Sequence, residues 1–219
     1  MDFAGVVAIC ESLLPLATDP AWSPWRRLCL VLAASAETAL GKHERALDRL
    51  STARDEMDRQ AVIHDWYTRM LLESGLTEVW FAKADLTKAQ SQAEWFLKAT
   101  LATAERTWQA LAWEANARVA IAAVELDRAQ DCVGNALSTM EGFEVPLAAW
   151  RVHATAAELY ERTGYSALAK DQRELSRATI LKLAHSMPAE EPLRRTFLSA
   201  PSVCRILGTA EEIRESTAL

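Results

Sequence analysis

The stretch Val124-Glu125-Leu126-Asp127-Arg128-Ala129-Gln130-Asp131-Cys132-Val133-Gly134-Asn135-Ala136-Leu137 decides the fold. Residues 124–127 have the character of a tight turn between two helices. Leu126, Ala129, Val133 and Ala136 then fall at spacings of 3, 4 and 3, which places them on one stripe of the second helix. The arrangement tells what kind of surface the chain builds and says little about what the surface binds.

The same arrangement recurs. A small residue follows a turn position by five at Gly41/Ala46, Ala84/Ala89, Val124/Ala129 and Gly164/Ala169. The four anchor alanines are 43, 40 and 40 residues apart, a period that marks stacked helical repeats. Each repeat is one helix pair that buries its apolar face only against its neighbours. Twelve positions before the anchors stand Ala34, Thr77, Ala117 and Ala157, small residues of the kind a helix needs where another crosses it closely. Nine before, the column is Glu37, Trp80, Ala120 and Tyr160. Ala46/Leu50/Ala53 matches Ala129/Val133/Ala136, while Ala89/Ala93/Phe96 redistributes the bulk. Ala169/Arg173/Ser176 departs, as suits a unit near the end of an array.

Composition agrees. The 219 residues hold 7 Gly and 7 Pro, and helix formers fill the rest. No stretch alternates apolar and polar residues in the manner of a strand, so the fold class is all-α. A net charge of −6 with interspersed signs disfavours direct nucleic-acid binding. The pairs Arg26-Arg27 and Arg194-Arg195 read as solvated or facing helix dipoles. The longest apolar runs fall short of a membrane span, and Met1-Asp2-Phe3 shows no basic leader. Cys10, Cys29, Cys132 and Cys204 are widely spaced, which reads as free thiols in a reducing cytoplasm, with a disulfide or zinc site as the minor alternative.

The turn, the small residue in the first helix and the small-large-small second helix resemble tetratricopeptide repeats. Trp113, sixteen before its anchor, matches the family's first-helix Trp; Leu30, Glu73 and His153 occupy that column elsewhere and do not. Trp80 and Tyr160 match its aromatic position. The period exceeds the usual length of about 34, as in the degenerate, longer-helixed repeats at the C-terminal end of large bacterial signalling ATPases and transcriptional regulators. The resemblance covers residues 21–184 and implies a right-handed α-solenoid, with first helices lining a concave groove. Another α-solenoid or an irregular helical bundle is the alternative.

In chain order, the sequence predicts one domain over 1–219. A lone helix over 2–14 (half-repeat 1–16) has Ala4 standing 42 before Ala46, and it points to a fragment of a longer protein or a half-repeat packed on something else. Ser23 is a candidate N-cap with Pro24 at the first helical position. Four hairpins follow within 22–186: 24–40 with 42–60, 65–83 with 86–102, 105–124 with 126–140, and 146–162 with 166–186. Residues 189–208 read as two short capping helices split at Pro201, whose Phe197, Leu198, Val203, Ile206 and Leu207 offer an apolar face. Residues 209–219 read as a frayed tail.

Signatures of chemistry are scarce. No phosphate-binding loop, dinucleotide motif, H-E-x-x-H or G-x-S-x-G occurs. His43, His64, His153 and His185 are scattered. His153 with Glu114 or Glu158, or Cys132 with His153, would make a groove site, but ordinary polar residues on a repeat face are the simpler reading. No enzyme activity, cofactor or metal is expected. Of the eight Trp residues, Trp80 and Trp113 sit in core columns. Trp22, Trp25, Trp66, Trp108 and Trp150 lie near first-helix starts.

By the family register the groove rows are Ser35/Glu78/Arg118/Glu158, Val31/Ser74/Glu114/Ala154, Leu28/Leu71/Leu111/Arg151 and Thr38/Phe81/Ile121/Glu161. Glu78, Phe81, Glu114, Arg118, Arg151 and Glu158 are the expected partner-binding residues, able to hold a protein or peptide by apolar anchors and charge pairs. Mutual neutralisation of Glu114, Arg118, Glu158 and Arg151 in solvent is the competing reading. The family's chaperone-tail clamp needs Lys and Asn at these positions, and they are absent. The expectation is a non-catalytic interaction or regulatory scaffold, part of a larger bacterial signalling or transcription-regulating protein. The alternative is a sensor domain for a peptide or small molecule in the groove.

Overall fold

A computed structural model describes residues 2–63 and 65–208. His64 and the predicted tail at 209–219 lie outside the described residues. Among those described, every regular element is helical. The chain divides into two compact units, Asp2–Glu105 and Arg106–Leu219.

The first unit holds α1 (Phe3–Leu13) and two antiparallel hairpins, α2 (Ser23–Ala39) with α3 (His43–Arg59) and α4 (Asp65–Ala82) with α5 (Leu86–Leu101). The second holds the hairpins α6 (Arg106–Ala122) with α7 (Leu126–Met140) and α8 (Pro146–Arg162) with α9 (Ser166–His185), then the short α10 (Pro192–Leu198) and α11 (Pro201–Leu207). Consecutive helices pack in pairs, and within each unit the first helices of successive hairpins lie against each other, α2 on α4 and α6 on α8. The four predicted hairpins are all present.

One turn geometry closes all four. Gly41, Ala84, Val124 and Gly164 share a left-handed backbone, with φ of 74°, 56°, 62° and 83°. In each, the amide after that residue donates to the carbonyl five residues back: Lys42 to Glu37 (2.8 Å), Asp85 to Trp80 (3.1 Å), Glu125 to Ala120 (2.9 Å) and Tyr165 to Tyr160 (2.8 Å). The left-handed residue's own amide donates three back, to Thr38, Phe81, Ile121 and Glu161. This is the Schellman close of a helix, which satisfies carbonyls that otherwise lack intrahelical partners.

The anchors follow. Ala46, Ala89, Ala129 and Ala169 are each 0% exposed, and the small column Ala34, Thr77, Ala117 and Ala157 is buried. In the first unit Val31, Leu50, Leu72 and Val79 fill the space between α2, α3 and α4. In the second, Ile121, Val133 and Leu159 do the same for α6, α7 and α8. Burial of each such side chain stabilises by roughly 1.5–3 kcal/mol. At the departing unit, Arg173 turns outward to Glu161 (2.9 Å), while buried Ser176 donates its hydroxyl to the Trp150 carbonyl (2.7 Å).

The predicted cap is in place. Val203 and Leu207 are buried with Trp150 and Ile180, and Phe197, Leu198 and Ile206 pack around them. Trp150 is thereby a core residue.

Two local expectations, on Ser23 and Ala4, are corrected, and Arg27 takes one of its two readings. Ser23 is no N-cap: the chain enters α2 through a 3₁₀ turn at Pro20–Trp22, capped by Asp19, and the Ser23 hydroxyl donates to the Pro20 carbonyl (2.7 Å). Of its two readings, solvated or facing a helix dipole, Arg27 takes the second. It is 2% exposed, binds both Asp65 oxygens (2.9 and 2.7 Å) and donates to the Glu56 and Gln60 carbonyls at the end of α3, where a cation complements the helix dipole. Ala4 is exposed, so α1 does not follow the anchor register; it packs on α2 through Val7 and Cys10.

Candidate partner-binding face

The expected face runs along the first helix of each hairpin, and each unit carries its own share. In the second unit α6 and α8 lie side by side. Glu114 and Arg118 are one turn apart on α6, and the Arg118 guanidinium meets the Glu114 carboxylate at 2.7 Å. Thr155 of α8 donates its hydroxyl to the same carboxylate (2.8 Å). Glu114 is 5% exposed. It differs from the expected groove charge: it pins α8 to α6 rather than facing a partner. A carboxylate so far from water is retained only with such partners.

Arg151 and Glu158 lie two turns apart on α8 and are exposed. Arg151 sits over the Trp150 ring, 5.1 Å from its centroid, a cation–π contact. Glu158 pairs with Arg162 at 2.8 Å. Of the four charges, Glu114 and Arg118 pair with each other, Glu158 pairs with Arg162, and Arg151 rests on an aromatic face.

In the first unit Glu78 and Phe81 are half-buried on α4 and engage other groups of the chain. Ser35, the matching residue of α2, is exposed and donates its hydroxyl to the Val31 carbonyl (3.0 Å). Val31 and Glu114 are buried, as is Ile121, while Ser74 and Ala154 of the same predicted row are half-buried, so the accessible lining is narrower than the register implied. Thr155 was missed because nothing in its spacing marks it; only the approach of α8 to α6 does.

The His153 Nδ1 lies 2.7 Å from the Gln172 side-chain oxygen. Cys132 sits in the apolar cluster of the second unit, and burial pushes its thiol up, the reverse of what a nucleophile needs. All four cysteines are free thiols. Among the described residues, no cluster of three or more ligating side chains is placed to hold a metal, and no helix is long and apolar enough to cross a membrane. Two clefts, of about 360 and 540 Å³, lie away from the expected face, at the α10 region and between the 17–27 segment and the end of α3.

The architecture is that of an all-α helical-repeat protein. No protein-family model matches the chain, and no curated protein matches its sequence. Three chains of solved structures match it. One is BtubC (BKLC) from P. vanneervenii, whose crystal structure aligns with a TM-score of 0.67 and 16% identity over 100% of this chain and 88% of that one. The likeness is one of fold.

Proposed function

We propose that this chain is a tetratricopeptide-like scaffold, non-catalytic, that holds a protein or peptide partner along the first helices of its hairpins within a larger bacterial signalling or regulatory assembly. What supports the reading is the set of four identically closed turns with fully buried anchors, which repeats one hairpin unit along the chain and sets the first helices of successive hairpins side by side within each unit. Arg151 and Glu158 are accessible charges on that face in the second unit; Arg151 rests on the Trp150 ring and Glu158 pairs with Arg162. Surface charges of this kind steer and select a partner more than they hold it.

The test is capture of a partner by the purified chain, repeated with Arg151→Glu and with Glu158→Lys. Both positions are exposed, so each variant should melt like wild type and lose the partner through a slower on-rate that depends on salt. Partner capture unchanged in both variants would remove this face from the reading.

A further inference from the structure

Helix α1 is held by a thin seam. It buries two residues, Val7 and Cys10, where each of α2–α9 buries four or more. That buried strip packs on α2. There the Cys10 thiol is hydrogen bonded with the Cys29 thiol and also meets the backbone of Ala33, one turn further along α2. Ala33 is fully buried, and so small a side chain lets the two helices approach closely. Helices packed at about 8–10 Å, with Cα atoms about 2.3 Å from each axis, bring facing Cα atoms within the roughly 4.4–6.8 Å that a disulfide spans. The two sulfurs differ in access. Cys10 is 5% exposed, while Cys29 is half-buried. Burial, and then the neighbouring Cys29, push the Cys10 thiol up, and the charge of Arg49 on α3 offsets part of this. A buried, protonated thiol thus stands behind one that solvent reaches.

We propose that Cys10 and Cys29 form a reversible disulfide within the chain, made by a peroxide and undone by a dithiol, that locks α1 onto α2. Access sets the order of events. Cys29 attacks hydrogen peroxide: the O–O bond breaks, one oxygen stays on the Cys29 sulfur as a sulfenic acid, and the other leaves with the thiol proton as water. Cys10 then attacks the oxidised sulfur. The S–O bond breaks, the S–S bond forms, and the hydroxyl leaves with the Cys10 proton as a second water. Two thiols are oxidised and one peroxide is reduced. Reduction by a dithiol runs through a mixed disulfide and restores both thiols. The consequence falls on α1. With so little of it buried, α1 detaches more readily than the helices behind it, and the cross-link joins positions 19 apart on either side of the connecting segment. Oxidation thereby decides whether α1 leaves the first hairpin.

The test treats the full chain with an equimolar amount of hydrogen peroxide. The four free thiols should fall to two, and peptide mapping by mass spectrometry should place the new bond between Cys10 and Cys29. Amide exchange across α1 should slow on the order of a hundredfold in the oxidised chain, and dithiothreitol should return it to its starting rate. In Cys10→Ala the oxidation should stop at the Cys29 sulfenic acid, captured by dimedone. Cys29→Ser changes a half-buried position and leaves the α1 strip intact; its α1 exchange should not respond to peroxide. A wild type that keeps four thiols overturns the proposal. So does a disulfide that maps to Cys132 or Cys204 or joins two chains, since the pair at the seam is then not the reactive one. A Cys10–Cys29 bond that leaves α1 exchange unchanged, or that dithiothreitol fails to reverse, overturns the lock.

Discussion

At the scale of single residues, two of the four turns carry a cost that the other two avoid. Ala84 and Val124 hold φ of 56° and 62°, where an L side chain loses about 1–2 kcal/mol and a β-branched one fares worst. Val124 is 73% exposed, so its side chain recovers little by packing. Val124→Gly relieves the strain, partly offset by the greater freedom of glycine in the unfolded chain. The net gain is about 1 kcal/mol, which raises Tm by about 2–4 °C. Gly164→Ala, at φ 83° with open space around it, lowers stability by a similar amount. Thermal unfolding followed by circular dichroism reads both, and matching shifts of the same sign would show the turns to be differently built. The column of turn residues was legible as a spacing. Its common conformation was not, because Gly, Ala and Val side by side suggest a position that accepts anything.

At the scale of elements, α1 is tied to α3 by charge. The Glu11 carboxylate accepts from Arg45 and Arg49, and these bonds hold its pKa below the ordinary 4.5. The same two arginines bind Glu37, which is fully buried. Burial opposes the Arg49 charge, but Glu37 and Glu11 outweigh it and raise its pKa. For Glu11 the folded value lies below the unfolded one. Its contribution is therefore complete above 4.5 and is lost as pH falls through the depressed value. Acid titration should loosen α1 in that window, seen as rising exchange of the α1 amides, and Glu11→Gln should give the loosened α1 already at neutral pH. Equal α1 protection in the variant and wild type at pH 7 would show that the tie is idle. Most element boundaries were readable because Gly, Pro and the apolar period agree there. The packing of α1 was not. Ala4 fell at the expected interval, yet Val7 and Cys10 took the buried side against α2.

At the scale of the whole molecule, the end of the array is sealed by side chains far apart in sequence. Trp150 and Ile180 are covered by Val203 and Leu207, each 1% exposed. Val203→Asp puts an unpaired carboxylate into that cluster and costs about 3 kcal/mol or more. The urea midpoint should fall and Trp fluorescence should shift toward that of solvated indole. An unchanged midpoint would mean that the closing helices are dispensable. The capping role was legible from the apolar residues after Pro192, which had to cover something. The site was less legible. Register placed Glu114, Arg118, Arg151 and Glu158 on one family of faces, but burial divides them: Glu114 is structural, while Arg151 and Glu158 remain accessible. A sequence shows which way a side chain leaves its own helix, and the depth of the neighbouring helix decides whether water reaches it.

The four closing bonds from Lys42, Asp85, Glu125 and Tyr165 each span only five residues. Their consequence lies in time rather than in energy. Closing so short a loop costs little chain entropy, and helical repeats are rich in local contacts, which makes for rapid folding. Any one hairpin can therefore serve as the place where order begins, and its neighbours can add to it in either direction. A slowed hairpin does not hold back the rest, because another takes over as the starting point. The route by which this chain reaches its native state is thus set less by any single sequence position than by which of four near-equivalent starts fires first.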